Sequence, residues 1–137
     1  MQDGWNWKPW YEVLAKPSWT PSGEIIAVIW WILYPIIIIS YSYVFYRTFF
    51  AQRRIPKHVT LPFAINLVAN LMFIVLFFGA KDLLLSTLDI IIAFLTIPWS
   101  MFTIWQYNKL IALVLTPYLV WVFIATMLQI SIMVMNP

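Results

Sequence analysis

Four long apolar runs separated by short polar connectors make up most of the chain. Residues 25–46, 59–80 and 110–135 carry no charge, and residues 83–105 carry one, Asp89. At about 1.5 Å per helical residue each run reaches roughly 30 Å or more, the thickness of a bilayer's hydrocarbon core. The pattern predicts four transmembrane helices near residues 23–47, 59–80, 83–106 and 109–135. The expected fold class is all-α, a polytopic membrane bundle of four helices. Residues 1–137 form one membrane domain, in which residues 1–21 are a Trp-rich loop or lid and residues 22–137 the bundle.

Composition agrees. Hydrophobic residues make up 64% and charged residues 9%, whereas about a quarter of a soluble domain is charged. Four spans leave no length for a separate soluble domain. The absence of cysteine excludes disulfides and thiolate chemistry. The single histidine, His58, excludes histidine metal clusters and a Ser-His-Asp triad, so no metal site is expected. The glycines, Gly4, Gly23 and Gly79, are too scattered for a phosphate-binding loop.

The net charge of +3 arises mostly in one connector, from Arg47, Arg53, Arg54 and Lys57. A nucleic-acid partner would call for basic residues spread over a soluble face, whereas a basic connector between spans marks the inner side of the membrane. Residues 47–57 and Lys109 are therefore expected inside, with the first 21 residues, the Lys81-Asp82 turn and Pro137 on the opposite side. Lys8, Glu12 and Lys16 interrupt any signal-peptide core before Pro17. The first segment instead carries Trp5, Trp7, Trp10, Tyr11 and Trp19. Interfacial anchoring accounts for Trp5 and Trp7, while Pro9, Pro17 and Pro21 stiffen the segment as a lid would require.

Lipid-facing positions favour Leu, Ile, Val and Phe, so exceptions mark the inward faces. Helical spacing groups Trp30 with Tyr34, then Asn66, Asn70, Phe73 and Phe77, then Ser86, Asp89, Ala93 and Thr96, and finally Tyr118, Trp121 and Ala125 with Leu128 and Gln129. All four stripes can face one centre. Asn66 and Gln129 fit interhelical hydrogen bonding as well as they fit a ligand site. Asp89 is harder to place cheaply, because a charged Asp at the bilayer centre costs about 2.5 to 3.5 kcal/mol. It is expected to be protonated, paired with donors such as Asn70 or an indole N–H, or set at a wet cavity. Pro35, Pro62, Pro98 and Pro117 are read as tolerated kinks. Met127, Met133 and Met135 are read as packing or lipid contacts, and His58 as an interfacial residue.

The run from Trp10 to Pro21, WYEVLAKPSWTP, resembles the WYxxLxKPxWxPP loop of the tryptophan-rich sensory protein family, also known as the TspO or translocator-protein (peripheral benzodiazepine receptor) family. Trp30-Trp31-Ile32-Leu33-Tyr34 resembles its WxxLY. Asn70 with Phe77-Phe78 resembles NxxWSxxFF, and Pro117-Tyr118-Leu119-Val120-Trp121 with Ala125-Thr126 and Leu128 resembles PYLxWxxxATxLN. The match runs from Trp10 to Asn136. Family members have five membrane helices, with this loop joining the first two; only nine residues precede Trp10 here, so the resemblance implies a chain lacking the first helix. Phe73 stands at the position of a family tryptophan, Ser22 replaces a proline, and Gln129 replaces the asparagine of the LN pair. The cholesterol-recognition pattern L/V-x-Y-x-K/R of animal members is missing beyond Gln129.

The resemblance implies a membrane receptor or binding protein for protoporphyrin IX and related tetrapyrroles and hydrophobic ligands, with no cofactor required and a homodimer as the expected assembly. It places Tyr11, Trp19, Trp30, Tyr34, Asn70, Phe73, Asp89, Trp121 and Ala125 around the ligand, as aromatic walls with a few orienting polar groups. It also carries an enzymatic alternative, light-dependent porphyrin breakdown with Trp30 and Trp121 as participants. A small transporter of hydrophobic compounds is a further alternative; four-helix multidrug exporters carry an acid in the middle of the first helix, where this chain has only Glu24 at the edge.

Overall fold

The computed structural model describes residues 8–137, so Trp5 and Trp7 lie outside the described residues. Helix α1 (Lys8–Val13) opens the described chain, with Pro9 in its first turn, where a missing N–H is harmless. Lys16 closes it by donating from Nζ to the carbonyls of Tyr11 (2.7 Å) and Leu14 (3.0 Å). A turn at Pro17 follows, to whose carbonyl the Thr20 amide and hydroxyl both donate.

Helix α2 (Gly23–Phe49) starts where the Ser22 side chain accepts the Ile25 amide, and it has Glu24 in its first turn and Arg47 in its last. Both charges complement the helix dipole. Helix α3 (Lys57–Phe73) runs without a break into a π-helical turn, Ile74–Gly79. Lys81 takes a left-handed conformation (φ 55°), which reverses the chain so that Asp82 caps α4 (Leu83–Ile104) through the Leu85 amide at 2.9 Å. Asn108 caps α5 (Lys109–Val114), and α6 (Thr116–Met135) completes the chain. Pro117, which cannot donate to the Leu113 carbonyl, accounts for the break between α5 and α6. Pro35, Pro62 and Pro98 lie within α2, α3 and α4.

Among the described residues four helical spans are long and apolar enough to cross a membrane, Gly23–Phe49, Lys57–Gly79, Leu83–Ile104 and Lys109–Met135. Their ends fall within two residues of those the sequence predicts. The short helix α1, the π-helical turn and the α5–α6 break are additions, made by local hydrogen bonding that apolar periodicity does not report.

Helices α3, α4 and α6 form the packed body. Helix α2 joins them unevenly. Toward the Arg47 end it buries Leu33, Ile37, Ser40, Tyr41, Val44 and Thr48, and there Tyr41 meets Phe63 edge to face at 5.1 Å. Thr48 hydrogen-bonds Thr60, and the Ile55 amide closes the loop onto the Arg47 carbonyl at 2.9 Å. Its first ten residues bury none of their side chains below the surface of the bundle. The outward faces are apolar, with residues such as Ile38, Ile39 and Phe102 exposed, as a lipid solvent demands. Four buried hydroxyls donate within their own helices, Thr48 to Val44, Thr87 to Leu83, Ser100 to Thr96 and Thr126 to Val122. This back-bonding removes the need for water in a medium that has none.

Candidate functional site

The inward stripes of all four spans meet around one enclosed cavity of about 30 Å³. Trp30 comes from α2, Ala69, Asn70 and Phe73 from α3, Asp89, Ile90 and Ala93 from α4, and Tyr118, Val122 and Ala125 from α6. Its volume is that of one water molecule.

On the side of the cavity toward the Arg47 end, the polar groups are fully matched. Asn66 is completely buried. It accepts from the hydroxyls of Tyr41 (2.6 Å) and Tyr118 (3.0 Å), and it donates to the Ala93 carbonyl (2.9 Å) and Thr96 Oγ1 (3.0 Å). Two donors and two acceptors exhaust the amide's capacity. Asn70 donates to the Tyr118 hydroxyl and so joins the network from the cavity wall. Gln129 donates to Thr87 Oγ1 at 3.3 Å, an interhelical link away from the cavity.

Of the three situations expected for Asp89, pairing with Asn70 or an indole N–H is not the one found, and the side chain stands instead on the cavity wall. It is 8% exposed, yet its buried Oδ2 has no partner among the described residues, and neither does Nε1 of Trp121. The donors that could serve it are turned elsewhere. Asn70 gives its amide to Tyr118, and the Trp121 indole packs edge-on against Trp30 with ring centroids 6.5 Å apart.

Aromatic rings build the remaining walls and the roof. Trp30 is the hub on one side, stacked on Tyr34 at 5.1 Å and set edge-on to Tyr118 at 6.5 Å. On the other side Phe73 stacks on Phe77 at 5.2 Å with ring planes 10° apart. The π-helical turn carries Phe77 and Phe78, in edge contact at 4.9 Å. Helix α1 sits on this cluster, with Trp10 5.2 Å and Tyr11 6.1 Å from the Phe77 centroid. Half-burial of Tyr11 raises its phenol pKa above the ordinary value, so the ring is neutral at physiological pH. The lid thus reaches the cavity through Phe77 and Phe73. Its far end is fastened by Asn136, which accepts the Ala15 amide (3.0 Å) and donates to the Ala15 carbonyl (2.9 Å).

Of the residues the sequence points to, Trp30, Asn70, Phe73, Asp89 and Ala125 stand on the cavity wall. Trp121 is buried behind Trp30. Tyr34 is 46% exposed and stacks on Trp30 from outside the wall, and Trp19 is 50% exposed and off the wall. Tyr11 belongs to the roof. Sequence reasoning set Ala93 and Tyr118 on inward stripes without assigning them to a ligand. It missed Ala69, Ile90 and Val122, small or aliphatic residues that look like lipid contacts until their helices are packed.

A polytopic helical membrane protein with an aromatic-walled cavity beneath an N-terminal lid is the class this arrangement defines. Residues 2–135 match the TspO/MBR family, and the chain belongs to it. It is 34% identical over 130 residues to the tryptophan-rich protein TspO of Bacillus cereus, covering 94% of this chain and 82% of that protein. It is 32% identical to the protein of the same name from Chlorobaculum tepidum, over 93% of this chain and 80% of the relative. Protein CrtK of Rhodobacter capsulatus is 30% identical, over 93% of this chain and 79% of its own length. The protein is accordingly a multi-pass integral membrane protein.

Proposed function

We propose that the protein is a membrane receptor for porphyrin-like and related flat hydrophobic ligands, which enter between the α1 lid and the four-span cavity. The reading is supported by the convergence of Trp30, Phe73, Asn70, Asp89 and Tyr118, drawn from every span, on one enclosed point. Aromatic faces suit a planar π-system, and the few polar groups would orient it. The reading requires movement, because the cavity of about 30 Å³ is far below the roughly 300 to 1,000 Å³ of a small-molecule pocket. Two sets of ring contacts would have to part. The near end of α2 is held to α6 through the rings of Trp30, Tyr118 and Trp121, and the roof rests on ring contacts at Phe77.

Titration with protoporphyrin IX, followed by tryptophan fluorescence, tests this. Trp30→Leu or Trp121→Leu is expected to weaken binding by about 1 to 3 kcal/mol, while lipid-facing Ile38→Leu leaves it unchanged. Equal binding by all three variants, or no saturable quenching in the parent protein, overturns the reading.

A further inference from the structure

Asp89 borders a second space that the porphyrin reading does not use. On the outer side of the α3–α4 pair lies an open groove of about 400 Å³, lined by Ala64, Val68 and Met72 of α3, Ile92 of α4, and Ala69 and Asp89. Only Ala69 and Asp89 line both this groove and the inner cavity. Ala64, Val68 and Met72 fall at four-residue spacing along one face of α3, with Ile65 and Ala69 beside them, and Val68, Met72 and Ile92 are exposed there, so the groove opens to lipid.

Its one ionisable side chain is the carboxylate whose Oδ2 has no partner among the described residues, and 92% of that side chain's residue surface is covered, the complement of its 8% exposure. An ionised group within a bilayer is stable when paired. The spans place no cation at its depth: α4 and α6 contain no basic residue, the basic residues of α3, Lys57 and His58, lie in its first turn at the Arg47 end, and Lys109 of α5 sits over the Trp105 ring. Arg47 of α2 is engaged by the Tyr43 hydroxyl at 2.7 Å, at the other end of the bundle.

From the depth, the open apolar trough and the single uncompensated carboxylate, we propose that the α3–α4 groove binds a lipophilic amine, with its ammonium on Asp89 and its hydrocarbon body along Ala64, Val68 and Met72. The groove volume falls within the range of small-molecule sites. An ammonium supplies both the charge and the N–H donors that Asp89 lacks, and an alkyl chain replaces lipid against the trough at little cost. A neutral alcohol of the same length supplies a hydrogen bond without the charge and is bound more weakly.

The test uses the full chain in phosphatidylcholine nanodiscs with two photoactivatable probes, octadecylamine and octadecanol, each carrying the same mid-chain diazirine. Saturable amine adducts are expected on peptides spanning residues 64–72 or containing Ile92, with the alcohol giving background labelling. Asp89→Asn should reduce amine labelling about 30-fold or more, the usual loss when one partner of a buried charge pair is truncated. Val68→Trp should also abolish it by filling the trough without touching the carboxylate, and it decides the matter if the Asp89 variant does not fold. Trp30→Leu should leave it intact. Equal labelling by the alcohol, undiminished labelling in folded Asp89→Asn or Val68→Trp, or adducts confined to the inner wall at Trp30 and Ala125 would overturn the proposal. Amine labelling that persists in protein showing no porphyrin quenching separates this site from the inner one.

Discussion

Asn66 and Asp89 are both buried polar side chains at the α3–α4 contact, and they are treated in opposite ways. Asn66 donates to the Ala93 carbonyl, one helical turn beyond Asp89, and all its hydrogen-bonding capacity is filled by Tyr41, Tyr118, Ala93 and Thr96. Asp89 retains an oxygen with no partner among the described residues. The contrast extends to the regions around them. Toward the Arg47 end, α2 is hydrogen-bonded and packed onto α3. Toward the α1 end, ring contacts dominate, α2 buries little, and a small cavity remains. In a bilayer, unmatched polar groups are not relieved by water, so the half that matches them is fixed. The half that does not is the one that the proposed ligand would enter.

The largest expected effect is all-or-none and assigns the two halves to sides of the membrane. The chain has no native cysteine, so Arg54→Cys and Ser18→Cys, both at exposed positions, can be labelled singly with an impermeant maleimide. The positive-inside rule predicts Arg54 on the inner side and Ser18 on the outer. Labelling of both from one side would contradict the four-span topology.

Next in size is Asn66→Leu. It strips partners from the Tyr41 and Tyr118 hydroxyls and the Ala93 carbonyl together, and is expected to destabilise the protein by about 2 kcal/mol, since membrane hydrogen bonds individually contribute less than this. Asp89→Leu should act in the reverse direction. Removing an unpaired carboxylate from an apolar site should raise stability by about 1 kcal/mol. Unfolding in detergent measures both, and a loss in Asp89→Leu equal to that in Asn66→Leu would erase the contrast between the two residues.

The smallest effect concerns the lid. Asn136→Ala removes both hydrogen bonds to Ala15, and at this exposed position the cost should be about 0.5 to 1 kcal/mol. Faster deuterium exchange at the Ala15 amide, with exchange along α3 and α4 unchanged, is the expected signature. Unaltered exchange at Ala15 would mean that the ring contacts at Phe77 hold the lid alone.

The number, order and approximate ends of the spans were legible in the sequence, because lipid requires about 20 consecutive apolar residues to cross it and tolerates few charges among them. The inward faces were legible as well. Asn66, Ser86, Asp89, Thr96, Tyr118 and Gln129, identified by polarity and helical spacing alone, are all buried. Family motifs supplied the lid and the likeness to TspO proteins. Packing decided the rest, because hydrogen bonding and cavity shape depend on which helix lies opposite. Tertiary structure gave the Asn70 amide to Tyr118 rather than Asp89, set Trp121 behind Trp30, and shrank the shared centre to about 30 Å³. It also opened a groove on the lipid side of Asp89, along Ala64, Val68 and Met72, residues that helical spacing and polarity did not single out. A one-dimensional pattern records which side of a helix avoids lipid, while the partner a buried polar atom finds is fixed only when two helices come within hydrogen-bonding distance.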